Sequence, residues 1–233
     1  MQIYEQLWAD AASALALGGP QIDPHLSDRV NDRRRGVCLI FRPSPEVQAR
    51  VKAFLDELAA AFPGQYFYQP EELHVTVLTL ISASGHWRSE MRDVAAFRVI
   101  LRDVLGRHDP MAIEFNGVTA APNAIMVQGF PRGEALENIR NDLRQAFAQS
   151  GFANRLDRRY RSRTAHLTAM RFARADADWR RLLAVLTAHR GTAFGTDYVQ
   201  NIELVWGDWY GSTDNLRVLE EFRLGGNTGR PGR

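Results

Sequence analysis

One cysteine, Cys38, occurs in 233 residues. No internal disulfide can form, and zinc motifs built on several cysteines are excluded. Lysine is nearly absent: Lys52 stands alone, so an anion site in this chain must be built from arginine. Neither sign of charge dominates, because 29 basic and 27 acidic residues leave a formal net charge of +2. A protein that coats duplex DNA through many phosphate contacts needs a larger excess, so no duplex partner is expected. No apolar run reaches membrane-spanning length. The N-terminal stretch MQIYEQLWADAASALALGG carries Glu5 and Asp10 and no basic leader, which predicts a helix rather than a signal peptide. These absences predict a cytoplasmic chain with no membrane contact. A Walker loop, a dinucleotide fingerprint and a GxSxG elbow are missing as well. No clustered carboxylates or His-x-x-x-His spacing suggest a metal, so no metal and no cofactor is expected.

What is present has the composition of an ordinary globular protein, 45% apolar and 24% charged. No Pro/Gly-rich linker divides it, which predicts a single domain over 1–233. A helix over 3–17 stops at Gly18-Gly19-Pro20 and belongs to an N-terminal extension of about 35 residues. GVCLIFRP (36–43) reads as a buried strand. Ser44 suits an N-cap and Pro45 the first helical position, and Val47, Val51, Phe54, Leu55 and Leu58 form the apolar stripe of the helix that follows. Further helices are expected over 91–108, 133–151 and 177–190. Strands are expected over 72–81, 165–172 and 198–210, with a hairpin over 111–130. The segment 216–224 is either a strand or a short helix, and 225–233 reads as a flexible tail. The hairpin rules out a purely parallel sheet, so the class is α+β. A coarse internal echo of strand, helix and strand suggests two related lobes.

Within that echo, ELHVTVLTL (72–80) and TAHLTAMRF (164–172) each place His-x-Thr in an apolar strand. Residues i and i+2 of a strand share a face, so His74 stands with Thr76 and His166 with Thr168. One isolated histidine of this kind is usually structural. Two with the same partner at the same offset suit a reaction at phosphorus, in which one group removes a proton and another delivers one on the opposite side. The hydroxyls would donate to the non-bridging oxygens. His25, His86, His108 and His189 lack the pattern and read as surface residues.

HVTV at 74–77 and HLTA at 166–169, 92 residues apart (166 − 74), resemble the paired motifs of the two-histidine phosphoesterase superfamily, which includes the RNA 2′,3′-cyclic phosphodiesterases and 2′-5′ RNA ligase-like proteins. The resemblance covers about residues 36–224. It implies a bilobal, pseudo-two-fold-symmetric fold, with antiparallel or mixed sheets lining a central cleft and helices outside. It also implies metal-independent chemistry on a nucleotide-like or RNA-end phosphodiester, with His74 and His166 as acid and base and Thr76 and Thr168 as phosphate binders. A basic residue often follows the second motif in this family, and Arg171 occupies such a place. Strict alternation turns Arg171 away from His166, so a bulge or a long side-chain path is required. Tyr68, Tyr160, Phe172, Trp206 and Tyr210 lie near strand ends that border such a cleft. Core packing is the default for them, and Tyr210 is the candidate to bind substrate by stacking. The Arg-rich segment 155–163 reads as a solvated loop or a phosphate contact. Two rival functions stay open: a nucleotide or RNA-end binding module without turnover, and an enzyme of this fold acting on a non-nucleotide substrate. A monomer is expected.

Overall fold

The computed structural model describes residues 2–158 and 161–226. Its elements are α1 (Gln2–Leu17), β1 (Arg35–Phe41), α2 (Pro45–Ala61), β2 (Tyr66–Phe67), β3 (Val75–Ser84), α3 (Val94–Leu105), β4 (Met111–Ala121), β5 (Ala124–Pro131), α4 (Ala135–Gln149), β6 (Leu167–Arg171), α5 (Trp179–Ala188), β7 (Ala193–Val199), β8 (Asn201–Asp208) and β9 (Arg217–Arg223). The Ser44 side chain accepts from the Val47 N–H and Pro45 opens α2, as the sequence dictates. All five residues of the α2 stripe are buried, each worth roughly 1.5–3 kcal/mol of apolar transfer.

Every strand pair is antiparallel, in the order β7-β4-β5-β6-β3-β1-β8-β9, with β2 added to β6. The class is therefore α+β, and the two lobes are the halves of one curled sheet. They meet where β3 touches β6 through a single residue pair, Val75–Leu167. The two His-x-Thr strands are thus the innermost strands of their halves. α3 packs on β9 and α4 on β3, while α1 and α2 cover the other half at β4 and at β6 and β7.

Three expectations change in detail. The run 198–210 is two strands broken at Gln200: β7 pairs with β4 and β8 with β1, so the chain crosses there from one half to the other. The start of β7 escaped notice because Gly195, Thr196 and Asp197 carry no apolar alternation. The helix expected from Met91 begins as a 3-10 turn and is α-helical from Val94. The segment 216–224 resolves as strand β9. The N-terminal extension is docked. The Tyr4 hydroxyl donates to the Gly129 carbonyl and accepts from the Gly129 N–H, and Thr119 Oγ1 donates to the Tyr4 carbonyl. The expected tail falls outside the described residues from 227 on. Among the described residues no helix is long and apolar enough to cross a membrane.

Candidate active site

Each motif histidine sits one residue before its strand, at the junction of the halves. His74, Thr76, His166, Thr168, Arg171 and Tyr210 all line one cleft of about 860 Å³, counted to its open mouth. The sequence offered the two His-Thr pairs by motif, Arg171 by family resemblance and Tyr210 as an aromatic near a strand end; the fold brings all six together.

Bulges explain how Arg171 reaches this cleft. Thr168 pairs with Met126, but Met170 pairs with Ile125, so Ala169 is an extra residue on β6. Ala169 and Met170 are both buried, and the next side chain to face the cleft is Arg171. β3 behaves in the same way. Thr76 and Leu78 oppose Ile40 and Leu39, and Thr79 and Ile81 oppose Cys38 and Val37, leaving Val77 and Leu80 as extra residues. Thr76, Thr79 and Ser82 therefore all line the cleft at a spacing of three. The repeated unit is longer than His-x-Thr: His74, Thr76 and Thr79 in one lobe match His166, Thr168 and Arg171 in the other. The cation is the point where the symmetry breaks.

The histidine rings are held from behind. His74 Nδ1 lies 2.7 Å from the Glu72 carbonyl, which only accepts, so Nδ1 carries the proton and Nε2 is left for the cleft. His166 Nδ1 lies 2.7 Å from Thr164 Oγ1, a hydroxyl able to give or accept. Both partners stand two residues before their histidine. Burial pushes the His74 pKa below the ordinary imidazole value. The Glu72 carbonyl opposes that shift, Arg42 and Arg171 add to it, and Asp208 opposes it. His166 is pushed down to about 4, by burial first and then by Arg171, His74 and Arg140. Gly211 packs on the His74 ring in a left-handed conformation: at φ +69°, a Cβ there would stand 2.7 Å from His74 Cε1.

One end of the cleft is an aromatic and cationic wall. Arg171 Nε donates to the Tyr68 hydroxyl at 2.9 Å, and its guanidinium lies 5.4 Å from the Trp209 ring centre and 6.0 Å from that of Tyr210. The Tyr210 hydroxyl donates to Asp23 at 2.9 Å and accepts from Arg34 at 3.0 Å. Its oxygen is thereby committed, and the ring is what it offers to the cleft. Asp23 and Arg34 come from the N-terminal extension, which therefore buttresses this wall. Asp208 caps the following turn, accepting from the Tyr210 and Ser212 N–H groups. Glu72 ties the same turn down through the Thr213 N–H.

Other expectations sort as follows. Phe172 packs edge-on against Trp179, and Trp206 against Trp87. Tyr160 lies outside the described residues. In the Arg-rich segment, Arg155 pairs with Asp93 and Glu90, and Arg158 with Glu90, so neither is a free solvated charge. Asp157 lines the cleft while accepting from Arg144 and Ser162. His25 and His86 are exposed, but His108 and His189 are half-buried and pair with Asp142 and Glu57. Among the described residues no group of three or more His, Cys, Asp or Glu side chains is arranged to hold a metal ion. Thr79, Ser82, Asp157 and Trp209 went unnoticed in the sequence. A three-residue step after each His-x-Thr, in HVTVLT and HLTAMR, was the available signal.

Residues 42–208 match the profile of the 2′-5′ RNA ligase superfamily. No curated protein matches the chain. Among solved structures, a Thermus thermophilus protein superposes with a TM-score of 0.63 at 16% identity, covering 82% of this chain and 99% of its own. E. coli LigT complexed with 3′-AMP gives 0.53 at 16% identity, over 82% and 98%. A conserved Agrobacterium tumefaciens protein of unknown function gives 0.54 at 15% identity, over 86% and 94%. At such identities the likeness is one of fold.

Proposed function

Because the chain belongs to the 2′-5′ RNA ligase superfamily of two-histidine phosphoesterases, we propose that it is a metal-independent phosphodiesterase that opens a 2′,3′-cyclic phosphate on a nucleotide or RNA end. The observation that carries this reading is the pair of His-x-Thr units facing one cleft, each ring backed at Nδ1 by a partner two residues upstream. A group entering phosphorus and a group leaving it lie on opposite sides, and two pseudo-symmetric imidazoles meet that need. Thr76 and Thr168 donate to the non-bridging oxygens, and Arg171 compensates their charge. The proton rests more readily on His74, whose Nδ1–H is stabilised by a carbonyl and which Asp208 also favours in its charged form, than on His166, which faces a hydroxyl and on which the acting charges are all cationic. His74 is accordingly the acid and His166 the base in ring opening. The Tyr210 and Trp209 rings provide the surface for a base. Solved complexes of E. coli LigT with 3′-AMP, NADP+ and ATP support a nucleotide-like ligand.

The test is an assay in EDTA on 2′,3′-cyclic nucleotides and on a short RNA ending in a cyclic phosphate, with 2′- and 3′-phosphate products resolved. The wild type turns over, and His74→Ala and His166→Ala each lose about 10²-fold or more in rate while staying folded. Saturable binding without turnover would support the receptor alternative instead. Neither binding nor turnover would point to a non-nucleotide substrate.

A further inference from the structure

A buried arginine lies between the two motif strands, and the acid/base scheme above assigns it no proton or phosphate to handle. Arg140, on α4, is 2% exposed. Its Nε donates to the Val77 carbonyl at 2.9 Å, and its Nη2 donates to the Thr76 carbonyl at 3.0 Å and the Thr164 carbonyl at 2.8 Å. Among the described residues no carboxylate forms an ion pair with it, and burial pulls its pKa down to about 10. A charge placed so deep on neutral acceptors is costly, which calls for a reason.

The reason lies in the sheet. β3 and β6 share one residue pair and then diverge, because the chain before Leu167 is not strand. The carbonyls of Thr76 and Val77 on one side and Thr164 on the other are left facing the opening. The Arg140 fork spans it, and the Asp157 N–H to Thr79 carbonyl bond closes it further along. A planar fork with fixed donors can hold carbonyls from two chain segments at once; a lysine ammonium is a point charge and cannot reproduce it. Two of the three carbonyls belong to residues with a part in the site. Thr76 carries a candidate phosphate-binding hydroxyl, and Thr164 carries the hydroxyl 2.7 Å from His166 Nδ1.

We infer that Arg140 is a positioning residue, a buried clamp that sets the two lobes' reacting groups against each other by holding Thr76 directly and the His166 ring through Thr164. This rests on the assignment of Thr76 and His166 to the reaction. It makes the seam between the lobes, rather than either motif alone, the determinant of their separation. An arginine that served only to pack α4 on the sheet would be replaceable by lysine without effect on the His166 ring.

The test combines kinetics on a 2′,3′-cyclic nucleotide with long-range proton–nitrogen NMR of the histidine rings, which needs no substrate. In Arg140→Lys the His166 ring nitrogens shift relative to wild type while those of His74, held by the Glu72 carbonyl, stay in place. Turnover falls about 10- to 100-fold with KM changed by no more than about threefold, as expected for a displaced reacting group. Thr164→Val reproduces the His166 shift with Arg140 intact, and Thr164→Ser restores the wild-type spectrum. The double variant Arg140→Lys/Thr164→Val loses less turnover than the two single losses combined, because both substitutions act on the His166 ring. A folded Arg140→Lys with wild-type His166 signals overturns the clamp, as do additive losses in the double variant. If Arg140→Lys does not fold, unchanged His166 signals in Thr164→Val overturn it. A wild type inert on every cyclic phosphate refutes the proposed function alone, since the ring spectra still decide the clamp.

Discussion

The depressed histidines make the pH dependence of kcat/KM a demanding test. The proposed ring opening needs one imidazole protonated and the other neutral, so its rate would follow the population of that state. kcat/KM reports the free enzyme, in which burial lowers both values. Around His166 the further charges are Arg171, His74 and Arg140, and its value is about 4. Around His74, the Glu72 carbonyl and Asp208 oppose burial, while Arg42 and Arg171 reinforce it, and the net shift is downward from 6.5. The pair then titrates with an acid limb near pH 4 and a basic limb below pH 6.5. Above the basic limb the rate falls tenfold per pH unit, so at about pH 8.5 kcat/KM lies at least about 100-fold below its maximum. A bound phosphodiester anion stabilises imidazolium, which moves the kcat bell to higher pH than the kcat/KM bell. Initial rates below and above KM, from about pH 3.5 to about pH 9 in EDTA at constant ionic strength, measure both profiles. A kcat/KM that stays level or rises between pH 6.5 and about pH 8.5 refutes the depressed pair and the acid/base cycle built on it.

Gly211→Ala places a methyl 2.7 Å from His74 Cε1 at a φ of +69°. The expected result is a loss of roughly tenfold or more in kcat/KM, with about 1–2 kcal/mol of lost stability, and wild-type rates would show that the ring is not packed there. Arg34→Ala leaves Asp23, Asp32 and the Tyr210 hydroxyl without their shared donor. With Asp32 4% exposed, the cost is about 2–3 kcal/mol by urea unfolding, accompanied by a raised KM, and a loss under about 0.5 kcal/mol contradicts the buttress. His166 refuses a proton that the unfolded chain accepts, so its contribution to stability is complete above pH 6.5 and is lost as pH falls toward about 4. The loss amounts to roughly 3 kcal/mol at most, and His166→Gln flattens that part of the stability profile.

Periodicity made the elements legible wherever one face is buried: the α2 stripe, the hairpin of β4 and β5, and the apolar runs behind both histidines were all visible in the sequence. The motif histidines and threonines were legible because they interrupt such runs at the same offset. The rest was hidden for physical reasons. A bulge leaves no mark in composition, so the route by which Arg171 and Thr79 enter the cleft required the register of β6 on β5 and of β3 on β1. The crossover at Gln200 was masked because β7 and β8 are nearly continuous in sequence while pairing with strands of different halves. Trp209 and Arg140 belong to no motif, and their roles come from long-range contacts that pattern reading does not reach. The extension read as an appendage because nothing local in Asp23 or Arg34 announces a partner near residue 210.

The near-symmetry of the two units and its break at the fifth position after each histidine serve different needs. In the proposed reaction, equivalent His and Thr positions would supply a base, an acid and two hydroxyls on either side of phosphorus, as in-line entry and departure require in both directions. A symmetric cleft would not tell the two ends of a substrate apart. The fifth position after each histidine removes that degeneracy: Thr79 places an uncharged hydroxyl at one end, while Arg171, set among Tyr68, Trp209 and Tyr210, makes the other cationic and aromatic. The same arginine lowers His166 more directly than any other charge, standing second only to burial among its causes. In the proposed reaction one side chain would thus both set substrate direction and help to hold His166 in its neutral form, while the different Nδ1 partners of the two rings separate acid from base. Arg171→Met should therefore weaken nucleotide binding and also raise the His166 value, moving the acid limb of kcat/KM toward neutral pH. A variant that lost affinity with its acid limb unmoved would separate the two effects and remove Arg171 from the acid/base argument.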